Sequence, residues 1–214
     1  MLNQAAELHA HVPPNYYEES IKKNIFQRFW HLRRFKNVGE IISPVKGQVL
    51  DVGCADGTFS EVIFKRTQAQ KLIGVDVLKK SVDYASKRFK KNPQMEFLVA
   101  DAEDLPFKNN QFEAVFCLET LEHILEPRKA LSEMKRVLKP GGYLVFLVPT
   151  DSPLFRVLWW IVLQTWGKHW QETHVNSFNE TKSLVKTLNA IGLKVKEDRK
   201  FLLNMLEMVK AVKT

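Results

Sequence analysis

Three carboxylates stand where apolar runs end. The run Val49–Val52 carries Asp51 and leads into Gly53, Ala55 and Gly57; a second run closes on Asp76, 25 residues after Asp51; a third closes on Asp101. Glycines at such a turn let backbone approach a ligand closely. A nicotinamide cofactor would call for G-x-G-x-x-G at the first turn, but Ala55 and Thr58 stand where two of those glycines belong. An acid-x-G-x-G-x-G pattern fits better, matching at Asp51, Gly53 and Gly57 and departing only at Ala55. An acid there suits a cationic ligand rather than a pyrophosphate. A carboxylate at the second run's end can accept both hydroxyls of a ribose, and one at the third can accept from an adenine amine. The three acids outline a pocket for a nucleoside that carries positive charge and no phosphate. Read without a ligand, they are strand-end turn formers, a common use of Asp.

Two histidines are candidates for proton transfer. His123 follows the fourth apolar run, and His174 lies in the polar stretch 172–178; a packing role at a helix start is the alternative for His123. His31 and Arg28 sit on an N-terminal helix, where a surface role is expected. Cys54 and Cys117 lack neighbouring basic residues and read as small buried hydrophobes. No Cys/His cluster has metal-site spacing, so no metal is expected.

The elements that must position these residues follow from periodicity. In Tyr16–Val38, Tyr17, Ile21, Ile25, Phe29, Leu32 and Phe35 step by three or four, which predicts one amphipathic helix with these residues inward, ended by Gly39 and Pro44. Then come strands at Val49–Val52, Leu72–Val75, Glu96–Ala100, Phe112–Leu118 and Tyr143–Val148, and helices at Thr58–Arg66, Ser81–Lys91 and Pro127–Leu138, the last stopped by Lys139-Pro-Gly-Gly142. Nearly continuous apolar strands alternating with helices predict a parallel sheet covered on both faces, with ligands at the carboxyl ends of the strands. Ser177-Phe-Asn-Glu180 fits a capping box for a helix running to Ile191. Leu193–Lys200 and Met205–Val212 are joined by too short a link for a parallel crossover and should pair antiparallel. The fold class is therefore α/β: a doubly wound, mostly parallel seven-stranded sheet, Rossmann-like, with an antiparallel last strand and an N-terminal helical extension. It forms a single domain: a helical cap (1–45), a ligand-binding core (46–150), an apolar insertion or lid (151–176), and a final helix with two strands (177–214).

The 214 residues, 45% hydrophobic and 26% charged, suit one globular domain. The net charge of +8 is spread along the chain, which makes a Lys-rich surface the plainer reading and an anionic partner the sharper one. The N-terminus lacks the basic start and apolar core of a signal peptide, and with two cysteines a cytoplasmic setting is expected. The run Leu154–Trp166 is apolar on nearly every face yet too short to span a bilayer. It reads as core or lid, or as an interfacial segment that leaves peripheral membrane contact open.

VLDVGCADG from Val49, GVD from Gly74, ADAEDLPF from Ala100, FEAVFCLETLEHI from Phe112 and RVLKPGG from Arg136 occur in register. With them the chain resembles the class I S-adenosylmethionine-dependent methyltransferases, in the small-molecule group that includes ubiquinone and menaquinone methyltransferases. The resemblance implies S-adenosyl-L-methionine as cofactor and S-adenosyl-L-homocysteine as product. It implies that Asp51, Gly53, Ala55 and Gly57 line the methionine and ribose, and that Asp76 holds the ribose hydroxyls with Val77 against the adenine. Asp101 and Ala102 would meet the adenine edge, and Leu118 and Glu119 would flank the methionine end. Ala55 in place of a glycine is acceptable if its φ is negative, and Glu113 replaces an Asp on a strand flank. The expected function is methyl transfer to an unidentified small-molecule acceptor, with an apolar or lipid-linked acceptor as the reading that the segment 154–166 would favour. The alternatives are a nucleic-acid methyltransferase, which the basic charge suggests but no appended RNA-binding module supports, and a non-catalytic cofactor-binding protein. Tyr16–Phe35 and Leu154–Trp166 are expected to meet over the cofactor.

Overall fold

The computed structural model describes Glu7 and residues 12–150, 152–164 and 181–214. Their order is α1 (Tyr16–Lys23), α2 (Ile25–Ile41), β1 (Gln48–Val52), α3 (Thr58–Thr67), β2 (Lys71–Asp76), α4 (Lys79–Arg88), β3 (Met95–Val99), β4 (Phe112–Leu118), a 3-10 turn (Leu121–His123), α5 (Pro127–Val137), β5 (Leu138–Pro149), α6 (Pro153–Gln164), α7 (Thr181–Ala190), β6 (Leu193–Phe201) and β7 (Leu206–Lys213). The sheet order is β3-β2-β1-β4-β5-β7-β6. β1 to β5 run parallel, and β7 pairs antiparallel with both β5 and β6.

Strand residues alternate between two cores because successive side chains point to opposite faces. Leu50, Val52, Val115, Leu144 and Phe146 pack with Ala130, Leu131, Met134 and Val137 of α5 and with Leu184 and Leu188 of α7. Val49, Leu72, Phe116, Val145 and Leu147 pack with Val38 and Ile41 of α2, Phe59 and Ile63 of α3 and Val82 and Ala85 of α4. The chain reverses at β1, between β2 and β4. The carboxyl ends of these strands therefore open onto a crevice where the two crossovers diverge.

The N-terminal region departs from the single amphipathic helix. Asn24 breaks it into α1 and α2, and its side chain accepts from the N–H groups of Phe26 (2.9 Å) and Gln27 (3.2 Å), capping α2. α2 runs through Gly39 to Ile41 and buries His31, Arg34, Val38 and Ile41, while Ile25, Phe29 and Leu32 face outward. The inward stripe combines the Arg34–Glu119 ion pair with Trp30, Phe35, Val38 and Ile41, which pack on the core. The surface role expected for His31 is thus replaced by a buried one.

Lys139-Pro-Gly-Gly142 is not merely a helix stop. β5 already begins at Leu138, which pairs with Phe112, and the register slips by a bulge between Phe112 and Ala114. The expected capping box at 177–180 lies outside the described residues. α6 carries the apolar run, with Leu154, Val157 and Trp160 exposed. Among the described residues, no helix is long and apolar enough to cross a membrane.

Candidate active site

The carboxyl ends of β1 to β4 and the chain entering α1 enclose a cavity of about 140 Å³. One water needs roughly 10–15 Å³, so the space is scaled for a ligand. Val52, Gly53, Ala55 and Asp56 line it from the first turn, and Asp76, Val77 and Leu78 from the second. Asp101, Ala102 and Glu103 come from the third, and Glu119, Thr120 and His123 from the fourth. Pro13, Pro14, Tyr16 and Tyr17 cover it.

Asp76 is fixed by the turn it faces. Its Oδ2 accepts from the Ala55 N–H and its Oδ1 from the Leu78 N–H, both at 2.9 Å. The Val77 N–H is a third backbone donor, and a carboxylate has about four acceptor sites, so acceptor capacity is left for a ligand. Burial raises its pKa, and the backbone donors oppose that rise. Asp101 uses Oδ1 to accept from the Glu103 N–H at 2.9 Å. Both acids are turn formers and cavity-lining acceptors at once.

Asp51 is not on the cavity wall. It is buried beneath the turn, accepting from Ser60 Oγ at 2.6 Å. Burial pushes its pKa up to about 7, against the Ser60 hydrogen bond and helped by the charge of Asp76. Its part is to tie β1 to α3. Gly57 also lies off the wall: at φ +78° it precedes α3, where a Cβ would come within 2.6 Å of Phe89. Gly53 does line the cavity, at φ +78°, and a Cβ there would fall 2.1 Å from Thr120 Oγ1. Ala55 takes φ +45°, not the negative value that would make it a simple replacement for glycine. Its N–H bond to Asp76 compensates for a conformation that costs an L-residue roughly 1–2 kcal/mol. Leu118 is buried behind the wall, while Glu119, at φ +53°, turns onto it. His123 ends the 3-10 turn and lines the cavity. His174 lies outside the described residues.

Sequence patterning missed the contacts that join the N-terminal helices to this site. Arg34 is ion-paired to Glu119, with the arginine side chain 5% and the glutamate side chain 14% exposed. Its guanidinium also lies 5.6–5.9 Å from the ring centroids of Tyr17, Trp30 and Phe59. Arg34 Nη2 lies 2.5 Å from His31 Nδ1. A guanidinium only donates, so Nδ1 is the accepting nitrogen. Burial first, and Arg34 second, lower the His31 pKa to about 2 and keep the ring neutral. Asp56 makes a second tie: Oδ1 accepts from the Thr58 N–H at 3.0 Å and Oδ2 from the Glu18 N–H of α1 at 2.9 Å. Asp56 stood inside a quoted motif, so its position was legible. Arg34 had no such signal.

The lining includes Asp56, Asp76, Asp101, Glu103 and Glu119 and, among the described residues, no Lys or Arg. A phosphate would meet no countercharge there, whereas a cationic nucleoside would. A nucleoside sulfonium therefore fits: Asp76 offers a carboxylate acceptor to ribose hydroxyls, and Gly53 lets backbone come close.

A doubly wound sheet with an antiparallel terminal strand and acid-ended strands around this crevice defines the class I methyltransferase fold. Residues 50–146 match the model of the methyltransferase domain family. It is 39% identical over 136 residues to a demethylmenaquinone methyltransferase of Renibacterium salmoninarum, covering 59% of this chain and 53% of that protein. It is 36% identical over 126 residues to the O-methyltransferase cnsE of Penicillium expansum, covering 56% and 45%. The chain spans about half the length of the curated relatives it matches. The fold also matches a methyltransferase solved with the Haloferax volcanii Trm112 activator, at TM-score 0.74 and 18% identity over 93% of this chain and 96% of that one.

Proposed function

We propose that this chain transfers a methyl group from S-adenosyl-L-methionine to a small-molecule acceptor. The reading rests most on Asp76, a carboxylate with spare acceptor capacity at the end of β2, in a cavity whose described lining holds acids and no Lys or Arg. When bound, the cofactor supplies a methyl carbon made electrophilic by its sulfonium. Asp76 accepts the ribose hydroxyls, with Val77 beside the adenine. Asp101 and Ala102 meet the adenine edge. Gly53 and Ala55 present backbone to the ribose and methionine, and Glu119 stands at the methionine end. Pro13, Pro14, Tyr16 and Tyr17 exclude water from the reacting centre, which orientation alone would leave exposed. His123 is placed to accept a proton from a hydroxyl or amine acceptor. The two free, buried thiols suit a reducing cytoplasm.

The acceptor is found by incubating the protein with methyl-labelled cofactor and small-molecule extract, then identifying labelled products by mass spectrometry. Label in a small molecule supports the reading. Cofactor binding with no labelled product favours a non-catalytic binder, and label in nucleic acid favours the other enzyme class.

A further inference from the structure

Over its first three turns α2 has apolar residues on both faces. Its inner face carries Trp30, His31, Arg34 and Phe35, while Ile25 and Phe26 are each 77% exposed, Phe29 55% and Leu32 51%. A helix that also leaves four large apolar residues outward presents more apolar surface than its own packing uses. The outer face is also basic: Arg28, Arg33 and Lys36 are exposed on it, while Arg34 faces inward to Glu119. At 100° per residue, Ile25, Phe29, Leu32 and Lys36 share one stripe, with Arg28 on one flank and Arg33 on the other. Arg33 leans over the Phe29 ring, 5.2 Å from its centroid. Lys22 and Lys23 are offset by Glu18 and Glu19 of α1, and Lys36 by Glu40 of α2 at 3.9 Å, which leaves Arg28 and Arg33 as the cations that flank the stripe.

We propose that the outer face of α2 docks on the anionic surface of a lipid bilayer. An apolar stripe edged by cations matches the two layers such a surface offers, acyl chains below and anionic headgroups above. Charge complementarity selects a lipid surface over a neutral protein groove, which would leave Arg28 and Arg33 without counterions. α6 leaves β5 at the carboxyl end of the sheet, the end where Arg34 meets Glu119, and it exposes Leu154, Val157 and Trp160. Docking brings the inner face of α2, and with it the cavity covered by Tyr16 and Tyr17, next to the membrane. An apolar acceptor could then enter from lipid. The docking does not depend on the proposed methyl transfer and is measured without it.

The test is co-sedimentation of the full chain with phosphatidylcholine vesicles, with and without one-third phosphatidylglycerol, at low and high salt. Binding should require the anionic lipid and weaken with salt. Phe29→Ser with Leu32→Ser should weaken it more than ten-fold. Arg28→Gln with Arg33→Gln should weaken it about 25-fold, since each surface cation contributes roughly five-fold. Both pairs lie on the exposed face, so S-adenosylhomocysteine affinity and melting temperature should hold, and they report separately on the cofactor site. Failure to bind anionic vesicles overturns the proposal, as does wild-type binding by either double variant. So does a wild-type dimer that Phe29→Ser with Leu32→Ser turns into a monomer, which would make the face a self-interface.

Discussion

Replacing Arg34 with Met keeps most of the side chain's volume and removes its charge. Glu119 then loses its ion-pair partner and His31 its donor, and the three ring contacts weaken. Breaking a buried ion pair by removing one partner costs about 3–5 kcal/mol. Glu119, however, borders a cavity that water can enter, which relieves part of that cost. We expect a loss of ~2–3 kcal/mol, or a fall in melting temperature of ~4–12 °C for a chain of this size. Because the pair ties α2 to the loop after β4, affinity for S-adenosylhomocysteine should fall as well. Urea titrations of the wild type, Arg34→Met, Glu119→Gln and the double variant complete a cycle that isolates the pair. A coupling of ~2 kcal/mol is expected, within the range of directly contacting residues. Additivity of the two substitutions within ~0.5 kcal/mol, the behaviour of independent sites, would refute the latch.

Gly53→Ala should destabilise the fold by ~1–3 kcal/mol, because it adds left-handed strain to a clash with Thr120, and should weaken product binding; full stability in a urea titration would show the turn to be permissive. Burial raises the Glu122 pKa to about 8 and that of Asp51 to about 7. A raised carboxyl pKa means that the folded state holds the extra proton, so this stability is present below ~4.5 and is lost as pH rises through the folded value. Between pH 7 and 8 the loss should belong chiefly to Glu122, at up to ~1.4 kcal/mol per pH unit. Glu122→Gln should flatten the stability profile in that window, and an unchanged slope would contradict the assignment. His31 works oppositely: its contribution is present above pH ~6.5 and falls away as pH drops below that value, so His31→Gln should lessen acid destabilisation measured between pH 7 and 5. His123→Ala should lower kcat while leaving product affinity intact once the acceptor is known, and an equal kcat would remove His123 as the proton acceptor.

The sheet was legible because β1, β2, β4 and β5 contain apolar runs, and the ends of β1 and β2 coincide with Gly53 and Asp76. Asp76, Asp101 and Gly53 were legible for the same reason: a strand end fixes both their place and their neighbours. Asp51 was misplaced by one layer, since a strand residue two positions before the turn points beneath it rather than into it. The N-terminal helices were misread because Ile25, Phe29 and Leu32 carry the helical period, yet the inward face includes Arg34, which reaches Glu119, 85 residues away. Periodicity carries no information about an ion pair at that separation. The condition set for Ala55, a negative φ, is not met: its φ is +45°, and its N–H donates to the Asp76 carboxylate, a contact that a turn motif read alone does not contain.

The central claim is that the acid-lined cavity holds S-adenosylmethionine through Asp76. It is tested most directly by calorimetric titration of S-adenosylhomocysteine into the wild type and Asp76→Ala. Single-site binding by the wild type is expected, with no binding of NAD. The variant should remain folded and bind more weakly by ~2–3 kcal/mol, the scale of hydrogen bonds to a charged group. No binding by the wild type, or equal affinity in a folded Asp76→Ala, would contradict the account.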